Sequence, residues 1–328
     1  MLKVLVIGYG SIGKRHIENL LSFSDLEILV CTKRKEDRFL RENKCKTFNS
    51  LEKCLKEKPD IALITNVTSL HVSTAIKLAN AGINLLIEKS LSNSFYNVDK
   101  LIKIVKRKKI ITLIGCQLRF HPCISKIKEI ISRNEIGRVI SVHVESGSYL
   151  PDWHPHEDYR DSYASRKDLG GGVVLTCIHE IDYLYWFFGD VKEVFSMTGK
   201  YSDLDLSVDD LSSILIKFKD NIIAEVHLDY FQRPDFRSCK IIGTGGTIYW
   251  DSEINTVKVY DIKKEKWIEK IKLSNYDKNV MYKEELSYFI KCVKKKENTI
   301  NNVYDGLKTL QIALAVIKSA KLKRVVTL

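Results

Sequence analysis

The feature that most restricts this chain is a short apolar run closed by three glycines at fixed spacing, Lys3-Val-Leu-Val-Ile7 followed by Gly8-Tyr-Gly10-Ser-Ile-Gly13. The run predicts a strand, and Ile12–Leu21 continues with helical periodicity, so the glycines fall in a strand-to-helix turn. In that context the first glycine permits the tight turn, the second lets a pyrophosphate approach the backbone, and the third lets helix and strand pack closely. The helix start then offers unpaired N–H groups and a partial positive charge to phosphate. Gly8, Tyr9, Gly10, Ser11, Ile12 and Gly13 are therefore candidate dinucleotide-binding residues.

The pattern continues for 118 residues. Short β-branched runs at Glu27–Cys31, Ile61–Thr65, Asn84–Ile87 and Ile111–Gly115 alternate with helical stretches near Leu51–Lys56, Leu70–Ala79 and Phe95–Lys106, with Ser50 and Ser69 in N-cap positions. Such alternation predicts a doubly wound parallel sheet. After Arg119-Phe-His-Pro122 the rhythm changes. One helix (about Ile124–Arg133) precedes strand-like alternation, then a loop from Ser146 to Lys167, then one apolar helix from Val173 to Phe188. From Val194 to Lys270 alternating runs are separated by turn signals such as Asp220-Asn221 and Gly243-Thr-Gly-Gly246, which predicts a mostly antiparallel sheet. Helices near Tyr282–Val293 and Val303–Ala320 close the chain. The expected fold class is α/β: an N-terminal Rossmann domain over residues 1–118, then an α+β domain over 119–328 with a large, mostly antiparallel open sheet.

Composition excludes several alternatives. A chain of 328 residues with 45% hydrophobic content can bury more than one core. No stretch approaches the roughly 20 apolar residues of a membrane-spanning helix. The opening Met1-Leu-Lys-Val has no leader pattern, so a cytoplasmic location is expected. Eight cysteines without a Cys-x-x-Cys pair argue against a zinc knuckle and a disulfide scaffold. The net charge of +12 comes from dispersed Lys and Arg without aromatic interleaving, which favours anionic small ligands over nucleic acid.

At the end of the second strand, where an acid would hold the ribose 2′-hydroxyl of NAD, the chain has Cys31-Thr32-Lys33-Arg34. Thr32, Lys33 and Arg34 suit a 2′-phosphate, so NADP is favoured over NAD. The competing reading is that both cations face solvent at a strand end.

Further along stand Asn66-Val-Thr-Ser-Leu-His71, Ala81-Gly-Ile-Asn-Leu-Leu-Ile-Glu88-Lys89, Arg119-Phe-His-Pro122, Gly170-Gly-Gly172 and His179-Glu-Ile-Asp182. With the glycine loop, these motifs resemble the Gfo/Idh/MocA family, the glucose-fructose oxidoreductase and inositol dehydrogenase relatives, over essentially the whole chain. The resemblance implies an enzyme, an NAD(P)-dependent dehydrogenase or reductase. Lys89 matches the family lysine beside the nicotinamide and the reacting carbinol, although Ser90 replaces the usual proline. His179 matches the family's acid or base on the substrate hydroxyl, and imidazole titrates in the range that role needs. Many members carry an aspartate a few residues earlier; here Thr176 stands in its place. The resemblance also implies cofactor contacts from Asn66, His71, Glu88 and Gln117, and substrate contacts from Arg119 and Asp182.

The loop Asp152-Trp153-His-Pro-His-Glu-Asp-Tyr-Arg160-Asp-Ser-Tyr163 concentrates aromatic and ionisable groups. Trp153 and Tyr163 offer faces to a sugar ring, and Arg160 offers a fork to a carboxylate or phosphate. A metal on His154 and His156 lacks an obvious third ligand, so no metal site is assigned. The run looks like that of family members associated with surface-glycan or nonulosonate sugar pathways. The leading expectation is hydride transfer between NAD(P) and a hydroxyl or keto carbon of a sugar, sugar acid or nucleotide sugar. Redox-neutral epimerase or lyase chemistry and a non-catalytic dinucleotide-binding protein are the alternatives. A homodimer or homotetramer is expected.

Overall fold

The computed structural model describes residues 1–34 and 37–328. By contact the chain divides into two compact units, Met1–Gln117 with Lys278–Leu307, and Leu118–Asp277 with Lys308–Leu328. The boundary falls near residue 118, but the first unit also takes a segment from far down the chain.

In the first unit, β1 (Leu2–Ile7), α1 (Ser11–Leu20), β2 (Leu26–Cys31), α2 (Arg38–Glu42), β3 (Lys46–Phe48), α3 (Leu51–Lys56), β4 (Ile61–Ile64), α4 (His71–Asn80), β5 (Asn84–Glu88), α5 (Val98–Lys108) and β6 (Thr112–Gly115) alternate along the chain. The strands form one parallel sheet in the order β3-β2-β1-β4-β5-β6. Every residue of β4 and β6 is buried. This is why these strands read as continuous apolar runs, since helices cover both faces of a parallel sheet. Val4, Val6, Leu63, Leu86 and Leu113 share a core with Leu286, Phe289 and Ile290 of the helix Asn279–Lys295. That helix is also tied to α1 by reciprocal amide bonds between Asn19 and Asn279 at 3.1 and 2.8 Å.

Two local expectations need correction. Ser50 caps α3, accepting the Lys53 N–H at 3.4 Å, but Ser69 caps nothing. A 3₁₀ turn over Thr68–Leu70 delays α4 to His71, with Leu70 at its N-cap. The three-residue edge strand β3 is too short to show periodicity, and the sequence reading missed it.

The second unit contains α6 (Pro122–Ser132), β7 (Val139–Gly147), α7 (Val173–Thr176), α8 (His179–Phe188), β8 (Val191–Gly199), β9 (Leu211–Phe218), β10 (Ile223–Asp229), β11 (Phe236–Gly243), β12 (Gly246–Asp251), β13 (Thr256–Asp261), β14 (Lys266–Lys272) and β15 (Val326–Thr327). The nine strands run β14-β13-β12-β11-β7-β10-β9-β8-β15, antiparallel apart from the β7/β10 pair. Alternation is clean in β9, where Ser212, Ile214, Ile216 and Phe218 are buried and Ser213 and Leu215 are exposed. α6, α7 and α8 pack on the covered face.

The run from Val173 to Phe188 is not one helix. Asp209 holds the start of α7, its carbonyl accepting Val173 N–H at 3.0 Å and its carboxylate accepting Val174 N–H at 3.3 Å. Buried ion pairs hold α8, and the chain absorbs the mismatch at Cys177, whose ψ of 35° is not helical. An apolar pattern alone does not record such a break. No described helix is long and apolar enough to cross a membrane.

Candidate active site

The glycine loop has the geometry its spacing predicts. Gly8 has φ +103°, a region open to glycine and closed to most side chains. A Cβ on Gly13 would lie 2.2 Å from Gly8 O, so the third glycine is required for α1 to sit against the turn. Thr65 Oγ1 locks the turn by donating to Ile7 O and Gly8 O, each at 3.0 Å. A Cβ on Gly10 would meet nothing within 4 Å. This open side is where a phosphate would approach the backbone. Gly10 is the N-cap of α1, no side chain caps the helix, and its first turn holds no acid, so Ser11 and Ile12 begin a helix whose dipole is uncompensated. Asn66 lies beside the loop. Its Nδ2 donates to Thr74 Oγ1 at 3.1 Å, while its buried Oδ1 meets no donor among the described residues. The residues present thus fit a dinucleotide.

Tyr9 is buried after the first glycine, its hydroxyl pushed up to about 12 by burial first and then by Asp37. The Arg34 guanidinium lies 5.9 Å from its ring centre. Lys33 and Arg34 are exposed, and Thr32 Oγ1 accepts the Arg34 N–H at 3.1 Å.

At the carboxyl end of β5, Glu88 is buried and Lys89 half-buried. One Glu88 oxygen lies 2.7 Å from His16 Nε2, and the other accepts the Lys89 N–H at 3.3 Å. The Lys89–Ser90 peptide is cis. His71 joins this strand end to the Asn66 loop, with Nδ1 2.7 Å from Ser90 O and Nε2 3.0 Å from Asn66 O. Burial pushes the His71 imidazole down, against the pull of those carbonyls. Gln117 is buried and donates to the Tyr282 hydroxyl at 2.9 Å. Glu88, His71 and Gln117 are thus each held by hydrogen bonds within the first unit. Neither His16 nor Tyr282 stood out in the sequence; an i,i+3 step from Gly13 was the only trace of the former.

In the second unit, Arg119 and Asp182 face each other rather than solvent. Arg119 Nε and Nη2 donate to the two Asp182 oxygens at 2.8 Å each, both residues are 2% exposed, and the guanidinium stacks 5.4 Å from the Trp186 ring centre. Together they form a buried bidentate pair that ties α8 to the segment before α6. One residue before Ile181, Glu180 is fully buried with Arg237 Nε 2.6 Å away. Both pairs start from residues just after His179, which is itself 6% exposed at the first turn of α8. Thr176 is buried at the end of α7, Tyr163 and Trp153 are half-buried, and Trp153 Nε1 donates to Ser148 Oγ at 2.7 Å. Arg160 is exposed and chelated by Asp158, whose carboxyl it holds down to about 2. Asp209 was not anticipated; burial raises its carboxyl even though Val174 N–H lowers it.

The first unit and much of the second match known family patterns. The model described as "Oxidoreductase family, NAD-binding Rossmann fold" matches residues 2–116, and the "GFO/IDH/MocA C-terminal domain" matches residues 124–249. The chain belongs to the Gfo/Idh/MocA oxidoreductase family. It is 29% identical to the myo-inositol 2-dehydrogenase of Thermotoga maritima over 100% of this chain and 98% of that protein. With the scyllo-inositol 2-dehydrogenase (NAD(+)) of Bacillus subtilis it shares 24% identity over 97% and 94% of the two lengths. A levoglucosan dehydrogenase in complex with NADH has the same fold, with a TM-score of 0.89 at 18% identity, covering 99% of this chain and 98% of that one.

Proposed function

We propose that this oxidoreductase transfers a hydride between a nicotinamide dinucleotide and a hydroxyl-bearing carbon of a sugar or polyol. The observation that carries the reading is Lys89, a half-buried lysine at the carboxyl end of a parallel strand, in the same unit as an uncapped glycine-loop helix. Open α/β sheets bind their ligands at that end. The activities named for the inositol dehydrogenases above support the substrate class. When bound, the nicotinamide accepts or donates the hydride. Lys89 holds its ammonium at the reacting oxygen and polarises or protonates it, and the family resemblance gives His179 the role of acid or base on a substrate hydroxyl. Trp153, Tyr163 and Thr176 contact the sugar. Arg119 and Asp182 act indirectly by fixing α8.

Lys89→Met tests the assignment on a panel of polyols and sugars that includes myo-inositol and levoglucosan. Turnover should fall about a hundred- to ten-thousand-fold, the usual size of one lost proton-transfer group, while dinucleotide binding is spared. Near-normal turnover would remove Lys89 from the chemistry. The exposed Lys33 and Arg34, with no acid between them and β2, support tighter binding of NADPH than NADH. Fluorescence titration yielding equal or reversed affinities would overturn that preference.

A second copy of the chain is the proposed cover for the uncovered face of the nine-stranded sheet. Met197 (64% exposed) and Leu215 (47%) rim a shallow hollow of about 450 Å³ there, alongside Phe195. The face also carries polar groups, with His143 paired to Glu225 and Lys217 to Glu193. Eight free thiols, seven of them buried, support a reducing, cytoplasmic setting.

A further inference from the structure

Among the buried polar groups of the first unit is one pair that the proposed reaction does not use. His16 on α1 is fully buried and Glu88 is 6% exposed, with Nε2 and Oε1 2.7 Å apart. Among the described residues His16 Nδ1 has no hydrogen-bond partner, so Glu88 is the imidazole's one anchor. The second Glu88 oxygen accepts the backbone N–H of Lys89. The carboxylate therefore bridges the glycine-loop helix to the residue assigned to the chemistry. Its neighbours are fitted to it. Gly115 is the register partner of Glu88 on β6, and a Cβ there would lie 3.1 Å from Glu88 Oε1. The edge of the Tyr282 ring closes over His16, with centroids 6.2 Å apart at 75°.

A buried pair of ionisable side chains is a poor source of stability, because desolvation offsets most of the attraction. It does fix direction. A lysine side chain magnifies any rotation of its own backbone, and a misplacement of about 1 Å at a reacting centre costs on the order of a hundredfold in rate. We propose that His16 is a positioning residue for Lys89, acting through Glu88. The proposal rests on the reading of Lys89 given above.

Three variants separate positioning from a purely structural role. His16→Leu removes the bond to Glu88. His16→Gln places an amide N–H near the position of Nε2 and keeps it. His16→Asn is too short to reach. In the free protein, acylation of Lys89 by acetic anhydride, read by mass spectrometry against the surface lysines, should change at least about threefold in His16→Leu and His16→Asn and stay near wild type in His16→Gln. NADPH and NADH affinities should remain within about threefold in all three, whereas kcat on the polyol identified by the panel falls about ten- to a hundredfold in Leu and Asn and is rescued in Gln, with KM little moved. If His16→Leu does not fold, His16→Asn carries its arm. Unchanged Lys89 acylation in Leu and Asn, a Gln variant no better than Leu, or dinucleotide affinity falling as far as kcat would each overturn the proposal. Lys89→Met run alongside keeps the two readings apart. An active Lys89→Met removes the assignment beneath, whereas an inactive Lys89→Met with a fully active His16→Leu removes the positioning role alone.

Discussion

The two sheets of this protein solve the same problem in different ways. The parallel sheet of the first unit is buried on both faces, so every residue of β4 is core and what remains open is at the strand ends, where the glycine loop and the proposed Lys89 lie. The nine-stranded sheet of the second unit is covered on one face only, so alternate residues of β9 have opposite fates. One sheet leaves only its ends open; the other leaves a whole face, and buried ion pairs tie down one of its covering helices.

The largest effect should come from those pairs. Arg119→Ala leaves the Asp182 carboxylate buried without its bidentate partner and should cost about 3–5 kcal/mol in urea unfolding. A loss below about 1 kcal/mol would mean that the Arg119–Asp182 pair does not anchor α8. The contrast between sheets is sharpened by adjacent positions. Leu63→Ala and Ile64→Ala, neighbours in β4, should each cost about 2–5 kcal/mol, as should Ile216→Ala on the covered side of β9. Leu215→Lys, one residue away, should stay within about 0.5 kcal/mol yet lower the molecular mass seen by light scattering. A large stability loss from Leu215→Lys, or no change in mass, would contradict a partner-facing role for the open face.

The smallest effect is a pH dependence on that same face. His227 is raised above its usual value, mainly by its hydrogen bond to Asp229 at 3.1 Å, against the opposing pull of burial. A raised histidine adds stability that is fully present below about pH 6.5 and lost as the pH rises through the folded value. Because the His227 ring is partly exposed to solvent, this amounts to a few tenths of a kcal/mol. His227→Gln should flatten the stability profile above about pH 6.5, and an unchanged slope would assign the dependence elsewhere.

Much of the architecture was legible in the sequence because its causes are local. A strand buried on both faces must be continuously apolar, a half-buried strand must alternate, and a turn that approaches a phosphate must use glycine; Ile61–Ile64, Ser213–Phe218 and Gly8–Gly13 each record one of these requirements. Tertiary structure alone decided where the polar side chains point. Arg119 and Asp182 lie 63 residues apart and His16 and Glu88 72 apart, so no periodicity links them. The break at Cys177 depends on Asp209, and the first unit is completed by Lys278–Leu307 from the far end of the chain. Hydrogen bonds and ion pairs act over about 3 Å of space whatever the separation along the chain, whereas burial leaves its mark on every residue of an element. The fold and the glycine loop were therefore written in the sequence, whereas the partners of Arg119, Asp182, His16 and Glu88 were decided only by packing.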